Sequence, residues 1–218
     1  MSIKENIIQF QKNIPDTVTL VAVSKTKPVT AIQEAYDSGQ RIFGENKIQE
    51  MSEKWEQLPK DIQWHMIGHV QTNKVKFMIP YVNLIHSADR LKLFKEINKQ
   101  AALADRVVDV LLQVKIAQED TKYGMPIQEA IDLLDSPQLD AYPHLRVVGL
   151  MGMASFTDDM NQVAAEFKVL ERLFTRFRES KNLKTLSMGM SGDYKLAIEN
   201  GSTMIRVGSA IFGSRNYQ

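Results

Sequence analysis

A chain of 218 residues with 44% apolar content can bury one sizeable core, and without a Pro/Gly/Ser-rich linker it is expected to form one domain over 1–218. Its 27 basic residues nearly balance 26 acidic ones, and no Lys/Arg run is long enough to draw phosphate backbones, so nucleic acid is not an expected partner. With no cysteine there are neither disulfides nor thiolate metal sites; the N-terminus lacks the apolar core of a signal peptide, and no stretch approaches the roughly 20 apolar residues of a membrane span, which together point to the cytoplasm and away from membranes.

Short apolar runs alternate with amphipathic stretches along the whole chain. A helix is expected ahead of the first strand, Val18 to Ser24, and a second helix runs from Thr30, which can cap it, to Ser38, with Gly39 as its stop. Strand Arg41 to Gly44, helix Lys47 to Gln57, strand Ile62 to Gly68 and helix Gln71 to Met78 follow. Then come strand Asn83 to Ser87, helix Arg90 to Ala104, strand Val107 to Ile116 and helix Pro126 to Leu134. The segment Asp135 to Leu145, with Pro137 and Pro143, reads as a crossover connection. Strand Arg146 to Ala154, helix Asp159 to Arg178, strand Thr185 to Met190, helix Asp193 to Asn200 closed by Gly201, and strand Thr203 to Phe212 complete the pattern. Eight such strands, suited to burial on both faces, predict a closed (β/α)₈ barrel. The competing doubly wound open sheet would usually carry a glycine-rich turn after its first strand, where this chain has Ser24-Lys25-Thr26-Lys27-Pro28.

Barrel function collects where the strands end and the strand-to-helix loops converge. Lys25 lies there, after strand one; strand-end positions are rigid, and an amine gripped by apolar neighbours spends time as the neutral nucleophile that attacks an aldehyde. The plainer alternative makes Lys25 and Lys27 solvated charges. Gly44-Glu45-Asn46 follows strand two, and Met151-Gly152-Met153-Ala154-Ser155 finishes strand six. Strands seven and eight run into Met190-Ser191-Gly192-Asp193 and Arg206-Val207-Gly208-Ser209, small-residue turns of the kind that expose backbone N–H groups to a phosphate. Ser191, Gly208 and Ser209 are the candidates for that cradle, against the alternative that the glycines merely make tight turns.

A nucleophilic lysine with a phosphate cradle on the opposite side of the mouth suits pyridoxal 5′-phosphate, with Arg206 reaching the pyridine nitrogen. The chain resembles the pyridoxal phosphate homeostasis proteins, which are related to the barrel domain of alanine racemase. The motifs that carry the resemblance are Ala22-Val23-Ser24-Lys25-Thr26-Lys27-Pro28, Phe43-Gly44-Glu45-Asn46, Trp64 to Lys74, Gly149 to Met153, Leu186 to Ser191 and Ile205 to Gly213. The resemblance implies that Lys25 forms the internal Schiff base with Lys27 beside it. It also implies that Asn46 lies near the ring, that Ser191, Gly208 and Ser209 hold the phosphate, and that Arg206 faces the pyridine nitrogen. Many relatives have threonine where Ser209 stands; backbone donors can serve there equally.

Other features have structural alternatives. His65 and His69 are four apart, but the segment reads as a strand, so no metal is expected. Methionines of strands six and seven read as barrel filling, Glu45 as a salt-bridge partner rather than an acid, and Phe167, Leu170, Phe174 and Phe177 as the packed face of an outer helix.

An arginine at the pyridine nitrogen weakens the ring as an electron sink, and two-base racemisation needs a second proton donor that racemases take from an additional β domain; none is expected before the chain's end at Gln218. The expected role is therefore a non-catalytic, monomeric holder of the cofactor that contributes to its cellular balance and meets apo-enzymes transiently. An amino-acid racemase and a pure interaction module that binds no cofactor are the competing readings.

Overall fold

In the computed structural model, which describes residues 2–119 and 123–213, β1 (Thr19–Val23) pairs in parallel with β2 (Ile42–Glu45) on one side and with β8 (Met204–Val207) on the other. That second pairing closes the sheet. Between these strands lie β3 (Gln63–Met66), β4 (Val82–Ala88), β5 (Val108–Gln113), β6 (Leu145–Met151) and β7 (Thr185–Ser187), and the spatial order follows the chain order all the way round. The expected (β/α)₈ barrel is the observed one. Gln218, on which the expected absence of a further domain turns, lies outside the described residues.

The helices alternate with the strands: α1 (Ile3–Asn13), α2 (Val29–Asp37), α3 (Ile48–Gln57), α4 (Val75–Met78), α5 (Leu91–Leu103), α6 (Ile127–Asp135), α7 (Met160–Phe177), α8 (Tyr194–Glu199) and α9 (Ser209–Phe212). Local chemistry sets their ends. Ser2 and Glu5 form a reciprocal capping box on α1, and Asp159 accepts from the Asn161 and Gln162 amides at the start of α7. On α7, Phe167, Leu170, Phe174 and Phe177 are all buried against the barrel, each worth about 1.5–3 kcal/mol in burial.

Several boundaries differ from the expected ones. Thr30 does not cap α2: Pro28, with φ −69° and ψ 157°, occupies that place and the helix begins at Val29. The stretch Gln71 to Met78 splits into a 3₁₀ turn, Thr72–Lys74, and the single turn of α4, because its polar first half offers no apolar face to bury. The crossover Asp135 to Leu145 carries a 3₁₀ turn at Pro137–Ala141. The last strand stops at Val207, and Ser209 to Phe212 coil into α9; a short apolar run such as Ala210-Ile211-Phe212 does not by itself distinguish helix from strand.

Two layers of apolar side chains result. Outside, the strands' outward faces pack under the helices, with Trp64, Phe43, Phe94 and Phe167 fully buried. Inside, Val21, Leu84, Leu111, Met151 and Met204 fill the barrel, with Ile42, Val148 and Met153 against them. Met188 belongs to the outer layer. Gly149 is required by the close approach of β6 and β7, since a Cβ there would lie 1.8 Å from Thr185 O.

Candidate functional site at the barrel mouth

Strand alternation sends the residues two past the inner apolar layer toward the mouth. Arg206 follows Met204 on the inner face of β8, pairs with Val21 across the β1–β8 ladder, and is 3% exposed. Its Nη1 donates to Ser187 Oγ (2.6 Å) and its Nη2 to Gly152 O (3.1 Å), both neutral acceptors. Burial lowers its pKa to about 10, opposed by the charge of Asp193.

Ser187 Oγ also lies 3.2 Å from His86 Nδ1, and His86 Nε2 lies 3.0 Å from His65 Nδ1. Burial holds the His65 pKa at about 3; His86 is lowered well below the ordinary range by burial and then by the charges of His65 and Arg206. Both rings are therefore neutral at pH 7. Arg206 can only donate to Ser187, so the serine proton is available to His86 Nδ1, and a chain running in one direction puts the His86 proton on Nε2, facing His65 Nδ1. A polar layer thus crosses the barrel from β3 to β8 above the apolar filling.

Lys25 lies two residues beyond Val23 on the inner-face parity of β1, partly buried at the rim. It sits in a four-residue turn closed by Lys27 N donating to Ser24 O (3.0 Å), in which Thr26 has φ +62°. Lys27 points elsewhere: its Nζ donates to Phe212 O (3.0 Å) and Gly213 O (3.2 Å), capping the end of α9, while Asn6 Nδ2 reaches Ile211 O from α1. Beneath the turn, Lys54 Nζ donates to Ser24 O (2.8 Å), Glu45 Oε1 (2.7 Å) and Glu50 Oε1 (2.7 Å), and Ser24 Oγ donates to Glu45 Oε1 (2.6 Å). Glu45 is thus the salt-bridge partner its position suggested. Burial raises its pKa, countered by Lys54, and among the described residues its Oε2 has no hydrogen-bond partner.

Asn46 follows β2 at the same rim; Gly68, after β3, is packed against its backbone so closely that a Cβ would lie 2.3 Å from Asn46 O. On the other side of Lys25, Gly208 N donates to Ser191 Oγ (3.3 Å), which brings the loops after β7 and β8 together. Ser209 opens α9, whose first N–H groups have no intrahelical acceptor. A Cβ at Gly208 would meet Val23 O at 3.2 Å and Val23 Cβ at 3.3 Å, so this loop lies against the end of β1. The expectation of a lysine and a cradle on opposite sides of the mouth is corrected here. β8 closes directly onto β1, and the two are neighbours along the rim.

The histidines separate. His65 is turned inward to His86, whereas His69, outside β3, stacks on Tyr123 (centroids 4.5 Å apart) and faces Asp89. Four participants were not singled out from sequence: His86, Ser187, Lys54 and Glu50. His86 was detectable, since it alternates with Leu84 in an apolar strand and therefore faces inward. Lys54 was not, because a lysine on an amphipathic helix reads as solvated. Glu166 was also missed: it sits among the buried positions of α7 and accepts from Ser155 N, Ser155 Oγ, Gln118 N and Gln162 Nε2, tying together the loops after β5 and β6.

Comparison with known proteins matches residues 1–216 to the family described as alanine racemase, N-terminal domain. The pyridoxal phosphate homeostasis protein of Pasteurella multocida is 38% identical over 100% of this chain and 99% of its own length. That of Escherichia coli is 37% identical over 93% of this chain and 88% of its own length. Among solved structures, PipY of Synechococcus elongatus superposes with a TM-score of 0.92 without PLP (34% identity, 97% of this chain and 100% of that one) and 0.89 with PLP bound (33% identity, the same coverage). Alanine racemase of Streptomyces coelicolor, 18% identical, shares the fold with a TM-score of 0.79 over 98% of this chain and 58% of its own.

Proposed function

The chain belongs to the pyridoxal phosphate homeostasis proteins, and from that membership we propose that it binds pyridoxal 5′-phosphate at the barrel mouth and holds it covalently through Lys25. The observation that carries the reading is the placement of one rim lysine on β1 beside a small-residue cradle on the strand paired with it. When bound, the cofactor supplies an aldehyde that condenses with a primary amine, releasing one water, and the same water reverses the step. The aldehyde and the phosphate arm sit on adjacent ring carbons, which suits neighbouring strands better than opposite rims.

Within that reading, Lys25 presents the amine, while Ser191, Gly208 and Ser209 offer a hydroxyl and backbone donors to the phosphate. Asn46 borders the ring. Arg206 faces the pyridine nitrogen; a guanidinium has only donors, so it supports an unprotonated nitrogen and weakens electron withdrawal from the bound group.

The same features support a carrier rather than an enzyme. Arg206 keeps its protons, and His65 and His86 are neutral, buried and bonded to one another. Neither imidazole is placed to shuttle a proton on a second face. We therefore read 1–218 as one cofactor-binding barrel domain that acts as a cytoplasmic monomer, takes up pyridoxal 5′-phosphate and gives it to apo-enzymes by transient contact. Among the described residues no helix is long and apolar enough to cross a membrane.

The test is borohydride reduction of the loaded protein followed by peptide mapping. The wild type is expected to carry the label on Lys25, and Lys25→Ala to lose both the label and the visible absorbance. An unchanged spectrum in the variant, or a label on another residue, overturns the assignment; interconversion of alanine enantiomers by the loaded protein overturns its non-catalytic part.

A further inference from the structure

Both peptide groups that flank Lys25 are held from the same helix. The carbonyl of Ser24 accepts from Lys54 Nζ at 2.8 Å, and the amide of Thr26 donates to Glu50 Oε1 at 2.5 Å. Glu50 and Lys54 are one turn apart on α3 and pair with each other at 2.7 Å. Lys54 is 5% exposed and is fixed a second time by Glu45, which is fully buried. The α carbon of Lys25 therefore hangs between two anchored peptide planes.

This anchoring opposes a local preference. Thr26 has φ +62°, a region that a β-branched residue seldom adopts because its Cβ crowds the carbonyl oxygen. The i to i+3 bond from Lys27 N to Ser24 O requires the chain to reverse there, but sequence alone does not favour a threonine at the reversing position. Strain of this kind persists only where surroundings over-determine the backbone. Those surroundings are Glu50 and Lys54.

We propose that Glu50 and Lys54 are positioning residues that hold the Ser24 to Lys27 turn in its strained form and thereby aim Lys25 at the barrel mouth. The proposal rests on Lys25 being the attachment amine. Neither residue touches the ligand; each acts through the backbone on either side of Lys25. Glu50 is the better one to change, because its side chain is 23% exposed. Removing Lys54 would leave two carboxylates facing each other beneath the turn, a change that threatens folding.

The experiment compares wild type, Glu50→Ala, Glu50→Gln and the double variant Glu50→Ala/Thr26→Gly. Each is titrated with pyridoxal 5′-phosphate, followed by visible absorbance and borohydride mapping, and amide exchange at Thr26 is read in the protein before the ligand is added. Glu50→Ala is expected to bind roughly tenfold more weakly and to lose protection at the Thr26 amide. Glu50→Gln retains an oxygen that accepts from Thr26 and should stay within about threefold of wild type. Thr26→Gly in the Glu50→Ala background should recover much of the loss, because glycine adopts positive φ without a Cβ clash. A contribution limited to the ion pair would not respond to the identity of residue 26.

Wild type labelled at Lys25 together with undiminished binding by Glu50→Ala overturns the proposal, as does a double variant no better than the single one. Absence of label at Lys25 in the wild type instead defeats the attachment reading, and amide exchange then decides the clamp alone: protection at Thr26 that survives Glu50→Ala refutes it. Should Glu50→Ala not fold, Glu50→Asp keeps the charge beside Lys54 while shortening the reach to Thr26, and the same comparison applies.

Discussion

Ser187 and Arg206 are joined by a 2.6 Å hydrogen bond between adjacent strands, and through the serine the buried guanidinium is linked to His86. A cation in this position would be costly if its donors lacked acceptors, so the hydroxyl both satisfies and orients it. Ser187→Ala removes an acceptor from Arg206 and the Nδ1 partner of His86 at once. The expected loss is about 1–3 kcal/mol in urea unfolding. A change under about 0.5 kcal/mol would show that the bond contributes little.

Acid should unfold this protein through its interior imidazoles. The His65 pKa is held at about 3 and His86 lies well below its ordinary range, both through burial, whereas in the unfolded chain each titrates near 6.5. The unfolded state therefore binds more protons between pH 6.5 and about 3, and the stability contributed by keeping the rings neutral is present above 6.5 and lost as pH falls. Glu45, raised by burial, works in the opposite direction, since protonating it relieves the folded state. With two imidazoles against one carboxyl, the net slope should exceed about 1 kcal/mol per pH unit near pH 5. Thermal melts from pH 7 to 4 measure it, and a flat profile would contradict the neutral assignment.

Two glycines should behave in opposite ways. Gly149→Ala places a methyl 1.8 Å from Thr185 O in a central ladder, where neither backbone can give way, whereas among the described residues nothing lies within 4 Å of a Cβ built at Gly192. The first substitution should cost more than about 4 kcal/mol or abolish folding, and the second should stay within about 0.5 kcal/mol. Soluble yield and denaturant midpoints distinguish the outcomes.

The two lysines of the first turn should separate cleanly. Lys27 caps the carbonyls of Phe212 and Gly213, so Lys27→Ala should lower the melting temperature while leaving the borohydride label on Lys25. Disappearance of the label in that variant would mean that the assignment of the two amines is reversed.

The barrel was legible because its evidence is repetitive: eight short apolar runs, separated from one another by amphipathic stretches, fix order and parity even when individual ends drift by a few residues. Lys25, Arg206 and the loops after β7 and β8 could be named for the same reason, since strand ends dictate where the mouth is. What resisted reading depends on contacts between distant segments. Nothing local to Glu50 or Lys54 says that they meet Ser24 and Thr26, and no rule of periodicity turns Thr26 to positive φ. The placement of lysine and cradle on opposite rims failed although a closed barrel already implies β8 beside β1; the two were set apart by their distance along the chain and not by their order round the ring. Ala210 to Phe212 was misassigned because its apolar run serves a buried helical turn as well as a strand.

The seam where β8 meets β1 joins residues about 185 positions apart, Val21 with Arg206. The ribosome makes Lys25 long before the loop that follows β8, so a nascent chain carrying β1 alone holds one side of this seam without the other. The two walls of the proposed pocket therefore meet only when β8 has emerged and docked along β1.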